Sequence, residues 1–202
     1  MAKGEKCRLF FAVEVPEDIR RAVYRVQEDL ARGVRNVIKW VEPANLHLTL
    51  KFVGEVLEEQ VVDVVAIGRR AAQVGAACEF AVAGAGAFPN AHRPRVIWLG
   101  TRGDLASLQA VATELDHLLA EEGLAEREDK PFTPHLTLGR VRRGKPAPDL
   151  TALLESHAGA EFGEVRADSF VLMRSYLRPA GPVYEVADRF GLPGGTSPRQ
   201  GE

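Results

Sequence analysis

The tetrapeptide His-Leu-Thr-Leu occurs twice in this chain, at 47–50 and again 88 residues later at 135–138. Side chains alternate across a β-strand, so His47 and Thr49 share one face while Leu46, Leu48 and Leu50 share the other. His135 and Thr137 oppose Leu136 and Leu138 in the same way. The leucines need a core, which leaves imidazole and hydroxyl to line something polar in both copies. A cleft meets that need. Imidazole titrates near pH 6.5 and can take or give a proton at neutrality. Two of them flanking one phosphorus atom can divide the acid role from the base role, each typically worth about 10²–10⁴-fold. The threonine hydroxyls can donate to non-bridging oxygens whose charge changes in the transition state. Such a set suits a phosphodiester and calls for no metal.

A metal centre is the weaker reading. The chain has no HExxH, no carboxylate cluster adjoins either histidine, and threonine is a poor partner for imidazole-type sites. Cys7 and Cys78 stand alone, outside any CxxC spacing. No Gly-rich phosphate loop follows a strand, so no nucleotide cofactor is expected. His92, His117 and His157 lack a repeated context and are read as surface or structural. Trp40 and Trp98 are read as packing residues.

The elements that must position the two motifs are also duplicated. Arg8-Leu-Phe-Phe-Ala-Val resembles Arg95-Val-Ile-Trp-Leu-Gly, 87 residues on, and both read as short strands. Helical spacing follows each: Ile19, Ala22, Val23, Val26 and Leu30 in 17–32, then Leu105, Leu108, Val111, Leu115 and Leu118 in 104–122. Strand, helix and motif strand therefore occur twice in the same order. Around them, 57–74 reads as helix, 80–88 as a strand and 151–157 as a short helix. A closing hairpin is expected from 169–177 and 183–190, joined by 178–182. The expected architecture is α+β: two duplicated strand–helix–strand lobes, antiparallel sheets lining a central cleft, helices outside. One bilobal domain is expected over 1–192, with a loose tail at 193–202.

The chain has 202 residues, 46% hydrophobic and 27% charged, with a formal net charge of −2. That length buries a core without disulfide or metal staples. The near-neutral balance argues against coating long nucleic acid by charge alone, though not against gripping one phosphate. No apolar run approaches the ~18 residues of a membrane span, and the N-terminus lacks the pattern of a signal peptide. A cytoplasmic, monomeric protein is expected.

The paired His-x-Thr motifs resemble those of the two-histidine phosphoesterase superfamily. Within it, the chain is most similar to the bacterial and archaeal RNA 2′,3′-cyclic phosphodiesterases, historically called 2′-5′ RNA ligases. The likeness runs through 40–55 (WVEPANLHLTLKFVGE), 132–140 (FTPHLTLGR) and 175–184 (SYLRPAGPVY), and spans about 8–192. Gly139 stands where the family often has alanine. The resemblance implies a bilobal fold and hydrolysis of an RNA 2′,3′-cyclic phosphate to a 2′-phosphate. It implies His47 as the acid at O3′ and His135 as the base; the residues themselves leave those roles open.

Two further positions depend on strand geometry. Arg140 lies three residues past Thr137, which on an ideal strand puts it on the leucine face; a bulge or strand end at Gly139 would turn it to the cleft. The resemblance places an arginine there beside the phosphate, and guanidinium suits phosphate oxygens. Phe52 lies three residues past Thr49 and is read either as a platform for a terminal base or as core. The run Arg140, Arg142, Arg143, Lys145 is read as a guide for RNA backbone or as a solvated loop. Two other functions compete with RNA-end hydrolysis: a non-catalytic RNA-end binder, and a phosphodiesterase of another small cyclic phosphate.

Overall fold

The computed structural model describes residues 4–34, 36–179 and 181–196. Its elements follow in the order β1 (Lys6–Glu14), α1 (Glu17–Gly33), β2 (Ile38–Trp40), β3 (His47–Leu57), α2 (Val61–Ala72), β4 (Cys78–Phe88), β5 (Val96–Arg102), α3 (Ala106–Glu121), β6 (Leu136–Val141), α4 (Thr151–Glu155), β7 (Glu161–Ala167), β8 (Ser169–Arg178) and β9 (Gly181–Gly191). All strand pairs are antiparallel, in the order β7-β4-β5-β6-β3-β1-β8-β9, with β2 added to β6. The α+β class expected from the sequence is the one observed. Neither β2 nor β7 was expected: β2 is three residues long, and β7 follows a short helix with little apolar alternation.

The periodic apolar residues explain the helices. Ile19, Val23, Val26 and Leu30 form the buried stripe of α1, and Leu108, Val111, Leu115, Leu118 and Leu119 that of α3. Glu17 and Asp18 sit in the first turn of α1, where the helix dipole favours negative charge. The helices cross between the repeats. α1, from the first unit, packs on β7, whereas α3, from the second, packs on β3. Each repeat thus closes the core of the other, in one contiguous cluster.

The two halves of the sheet meet where Leu48 of β3 pairs with Leu136 of β6, both fully buried. Beyond this bridge β6 leaves β3 and takes β2, with Trp40 opposite Gly139.

One alignment is corrected by the register. Matching Arg8 with Arg95 equates Phe11 with Trp98, but Phe11 is wholly buried against the helices while Trp98 lies on the other face, opposite Thr137. Ala12 is the residue opposite Thr49. The structural equivalent of Trp98 is therefore Ala12, at an offset of 86. An odd offset would reverse every facing; similarity of residue type misled where parity decides.

The chain is still held at the start of the expected tail. The Pro193 carbonyl accepts from Ala77 N–H at 2.8 Å and the Thr196 hydroxyl donates to Asp168 at 2.7 Å. Residues 197–202 of the expected tail and Ala180 of the expected 178–182 connection lie outside the described residues. No described helix is long and apolar enough to cross a membrane.

Candidate active site

On β3 and β6 the leucines go inward: Leu46, Leu48, Leu50, Leu136 and Leu138 are all buried. His47, Thr49, His135 and Thr137 lie partly open on the opposite face. Continuing the Leu48–Leu136 register by one residue each way sets His47 across from Thr137 and Thr49 across from His135. The imidazoles therefore occupy one diagonal of this face and the hydroxyls the other. Ordinary diagonal spacing across an antiparallel pair is about 7–8 Å, and the strands part on either side of their single bridge. A phosphate-sized group fits between rings so placed.

Both rings are oriented in the same way. His47 Nδ1 lies 2.7 Å from the Asn45 carbonyl oxygen, and His135 Nδ1 lies 2.7 Å from that of Thr133. A carbonyl only accepts, so Nδ1 carries the proton in each ring and Nε2 is left for the cleft. Among the described residues, neither Nε2 atom nor either threonine hydroxyl bonds to another protein group.

The walls differ. Phe10 stacks beside His47 at 4.8 Å between centroids, and Tyr184 meets it edge-on at 5.4 Å. On the other side Phe88 meets His135 edge-on at 5.2 Å, with Trp98 at 6.4 Å. Trp98, expected only to pack, is thus part of the site wall. Its indole lies where a Cβ on Gly86 would be, so glycine is required there. The β8–β9 hairpin is tied to the first motif by Asn45, whose Nδ2 donates to the Pro182 carbonyl at 2.9 Å. Apart from Tyr184, which ends the family-like stretch 175–184, these wall residues carry no sequence signal beyond being aromatic in a strand.

Two matching β-bulges complete the face. The register of β1 on β3 shifts between Phe11 and Ala12, which skips Leu50; that of β5 on β6 shifts between Ile97 and Trp98, which skips Leu138. A bulge inserts one unpaired residue and reverses the alternation beyond it. Leu50 and Lys51 are consequently both buried, and Phe52 emerges on the His/Thr face, 51% exposed. Likewise Leu138 and Gly139 are both buried, and Arg140 emerges exposed. A bulge at Leu138 thus turns Arg140 to the cleft. A Cβ on Gly139 would come within 2.7 Å of Ile38 and 3.0 Å of Trp40, so β2 packs closely against this position.

Among the described residues, Gln27 and Lys51 are the buried polar side chains of the core, each 3% exposed, and each braces one bulge. Gln27 Nε2 of α1 donates to the carbonyls of Leu138 and Val41, both at 2.9 Å. Lys51 Nζ donates to Asp116 of α3 at 2.7 Å, to the Glu126 carbonyl at 2.8 Å and to Glu128 at 3.2 Å. Glu126 and Glu128 belong to the loop that leads to His135. Burial pushes the Asp116 carboxyl up, but Lys51 and the Glu128 N–H outweigh it and hold it below the usual range.

Burial lowers the pKa of His47. The Asn45 carbonyl works against that, and the charges of His135 and Arg140 lower it further. Burial raises Tyr184, against the charges of Arg140 and Arg8. Arg140 is therefore electrostatically part of the site. The remaining histidines lie outside it: His92 bonds to Asp149 at 2.8 Å, His117 pairs with Glu121 at 3.4 Å and His157 faces the Leu153 carbonyl at 3.0 Å. Among the described residues no group of three or more His, Cys, Asp or Glu is placed to hold a metal ion.

This face can accept an anion between two groups able to transfer protons. Residues 13–98 and 102–184 match the family model described as LigT like Phosphoesterase. An RNA 2′,3′-cyclic phosphodiesterase of Thermus thermophilus is 40% identical over 194 residues, covering 93% of this chain and 91% of its own. Its counterpart in Archaeoglobus fulgidus is 38% identical over 179 residues, 88% of this chain and 96% of its own. The crystal structure of TT0787 of T. thermophilus superposes with a TM-score of 0.73 at 38% identity, covering 93% and 98% of the two chains. That of E. coli LigT complexed with 3′-AMP gives 0.74 at 27% identity, covering 93% and 99%.

Proposed function

This chain belongs to the LigT-like phosphoesterase family, and from that premise we propose that it hydrolyses RNA 2′,3′-cyclic phosphate ends to 2′-phosphates, without a metal, through His47 and His135. The observation that carries the proposal is the matched anchoring of the two rings. Each Nδ1 is held by the carbonyl two residues earlier, so both Nε2 atoms are presented on one diagonal of one face. The names of the T. thermophilus and A. fulgidus relatives support the substrate class.

In the reaction, His135 Nε2 takes a proton from water as the water oxygen attacks phosphorus. The P–O3′ bond breaks, its electron pair stays on O3′, and His47 Nε2–H supplies the proton that makes the 3′-hydroxyl. A 2′-phosphomonoester remains. One proton is taken and one given, so solvent exchange restores both rings. Thr49 and Thr137 donate to the non-bridging oxygens, and Arg140 offsets the phosphate charge. Phe52 offers an exposed face for the terminal base.

The assignment of His47 as acid fits its surroundings. A lowered pKa makes the charged ring a readier donor, and the negative charge of a bound cyclic phosphate offsets Arg140 and recharges the ring when substrate arrives. The cations and proton donors of this face supply the charge stabilisation that a metal supplies elsewhere. With a 5′-hydroxyl in place of water, the same steps join two RNA ends by a 2′-5′ bond; at about 55 M water, hydrolysis dominates in dilute RNA. The enzyme works as a monomer in the cytoplasm, where its two free thiols, Cys7 and Cys78, stay reduced.

The test is incubation of RNA ending in a 2′,3′-cyclic phosphate with the purified protein in excess EDTA. A 2′-phosphate product is expected from the wild type, formed about a hundredfold or more slowly by His47→Ala or His135→Ala. Absence of product, or a 3′-phosphate instead, would overturn the proposal.

A further inference from the structure

The repeats that place two histidines alike break their symmetry at the next position. Phe52 and Arg140 are equivalent, each delivered to the catalytic face by its bulge. Across the sheet from Phe52 stands Phe10, in ring contact at 6.0 Å. Across from Arg140 stands Lys39 of β2. Directly opposed residues of an antiparallel pair point to the same face, and like charges there destabilise the pairing. One end of the cleft is thus aromatic and the other doubly cationic.

The positive charge continues past the strand end. Arg142, whose N–H bonds to the Val37 carbonyl at 2.8 Å, follows Arg140, and Arg143 and Lys145 lie in the next turn. Arg93 and Arg95 flank it, with the Arg95 carbonyl accepting from Val141 N–H at 3.0 Å. All of these side chains are exposed. Among the described residues no carboxylate lies within ion-pair distance of Lys39, Arg93, Arg95, Arg140, Arg142, Arg143 or Lys145. Elsewhere on this net-negative chain most arginines pair: Arg20, Arg21, Arg32, Arg69, Arg102, Arg127, Arg166, Arg174 and Arg189 all do. Seven unpaired cations on adjacent strand ends, beginning at the catalytic face, form a seat for a polyanion.

We propose that Lys39, Arg142, Arg143 and Lys145 bind the phosphodiesters on the 5′ side of the reacting nucleotide, so that the substrate is an RNA strand rather than a mononucleotide. This rests on the function proposed above and adds the direction of the chain: the terminal base at Phe52, which buried Phe10 backs, and the strand leaving past Arg140. An RNA end has the same polarity, with a base on one side and a phosphodiester on the other.

The experiment uses the full chain with Lys39, Arg142, Arg143 and Lys145 all changed to Gln, which leaves the two motifs untouched. Binding of a 5′-labelled oligoribonucleotide ending in a 2′-phosphate is followed by anisotropy over a salt series, beside turnover of a mononucleotide 2′,3′-cyclic phosphate. Oligonucleotide affinity should fall about tenfold or more at low salt, and the log–log salt slope should become shallower by about 2–3. Mononucleotide kcat/KM should change less than about twofold, which also shows that the variant folds. An Arg142→Lys/Arg143→Lys variant keeps the charge and should bind as the wild type does. Unchanged oligonucleotide affinity and slope, or an equal loss on the mononucleotide, would overturn the proposal. A wild type that binds the oligonucleotide with steep salt dependence yet opens no cyclic end would sink the function above and leave this surface standing.

Discussion

Leu48 and Leu136 face each other across the junction of the two half-sheets, both without exposed surface. They centre the site although neither touches it. Each stands between a histidine and a threonine, and their pairing sets those four side chains on the two diagonals of the opposite face. Hydrophobic burial therefore fixes a polar geometry: the leucines cannot turn outward without losing their core, and the imidazoles cannot turn inward without displacing it.

Loss of either imidazole should act on turnover and spare binding. His47→Ala and His135→Ala should each lower kcat by about 10²–10⁴-fold, with 2′-phosphate product binding changed far less. Single-turnover kinetics beside equilibrium binding measures both. Equal loss of affinity and rate would mark the histidines as ligand contacts only.

The pH dependence follows from His47. As acid it must be charged, and in the empty enzyme burial, then the charges of His135 and Arg140, hold its pKa below the ordinary value. Its charged form is lost as pH rises through that lowered value. The His47 ring, followed by NMR titration, should therefore lose its charge below the pH typical of histidine in the free enzyme and at higher pH with a 2′-phosphate bound, because bound phosphate restores the charge. Arg140→Ala removes one lowering charge and should move the free-enzyme titration upward while raising KM. Titrations over roughly pH 5 to 9 check both shifts. A titration that moves down in Arg140→Ala contradicts this electrostatic account.

Lys51 links stability to the site. Lys51→Met leaves the partly buried Asp116 with Arg127 at 3.6 Å and the Glu128 N–H as its remaining partners, and should cost about 1–3 kcal/mol by urea denaturation at neutral pH. The Lys51→Met/Asp116→Leu double change should recover most of that, since no charge is left stranded. Because the folded pKa of Asp116 is lowered, the stabilisation is full above the unfolded carboxylate value and is lost as pH falls through the folded one. The gap between wild type and Lys51→Met should therefore narrow in acid. An unchanged gap would remove Asp116 from the account.

Gly139→Ala should destabilise by about 1–3 kcal/mol through overpacking against Ile38 and Trp40. By moving β2 it should also raise KM through Arg140. Thermal denaturation beside steady-state kinetics measures the two effects; a variant unchanged in both would show that β2 yields freely.

Much of this was readable beforehand. The leucine and His/Thr faces follow from period-two alternation, a property of each strand alone, and the duplication announced itself through a repeated string. Arg140 and Phe52 were harder. Their facing depends on bulges at Leu138 and Leu50, which exist because of how β5 and β1 pair with the motif strands. Lys39 gave no signal, since its significance lies in standing opposite Arg140 across a strand too short to anticipate. The same holds for Gln27, whose partners Val41 and Leu138 lie 14 and 111 residues away.

Local pattern thus carried the two imidazoles, the two hydroxyls and the strands that bear them. Register, bulges and the crossing of α1 and α3 onto the opposite repeats came only with packing. The reason is physical. Alternation within a strand is set by backbone geometry at each residue, whereas register is the outcome of burying both repeats at once, and a slip of one residue reverses every facing at no cost to composition.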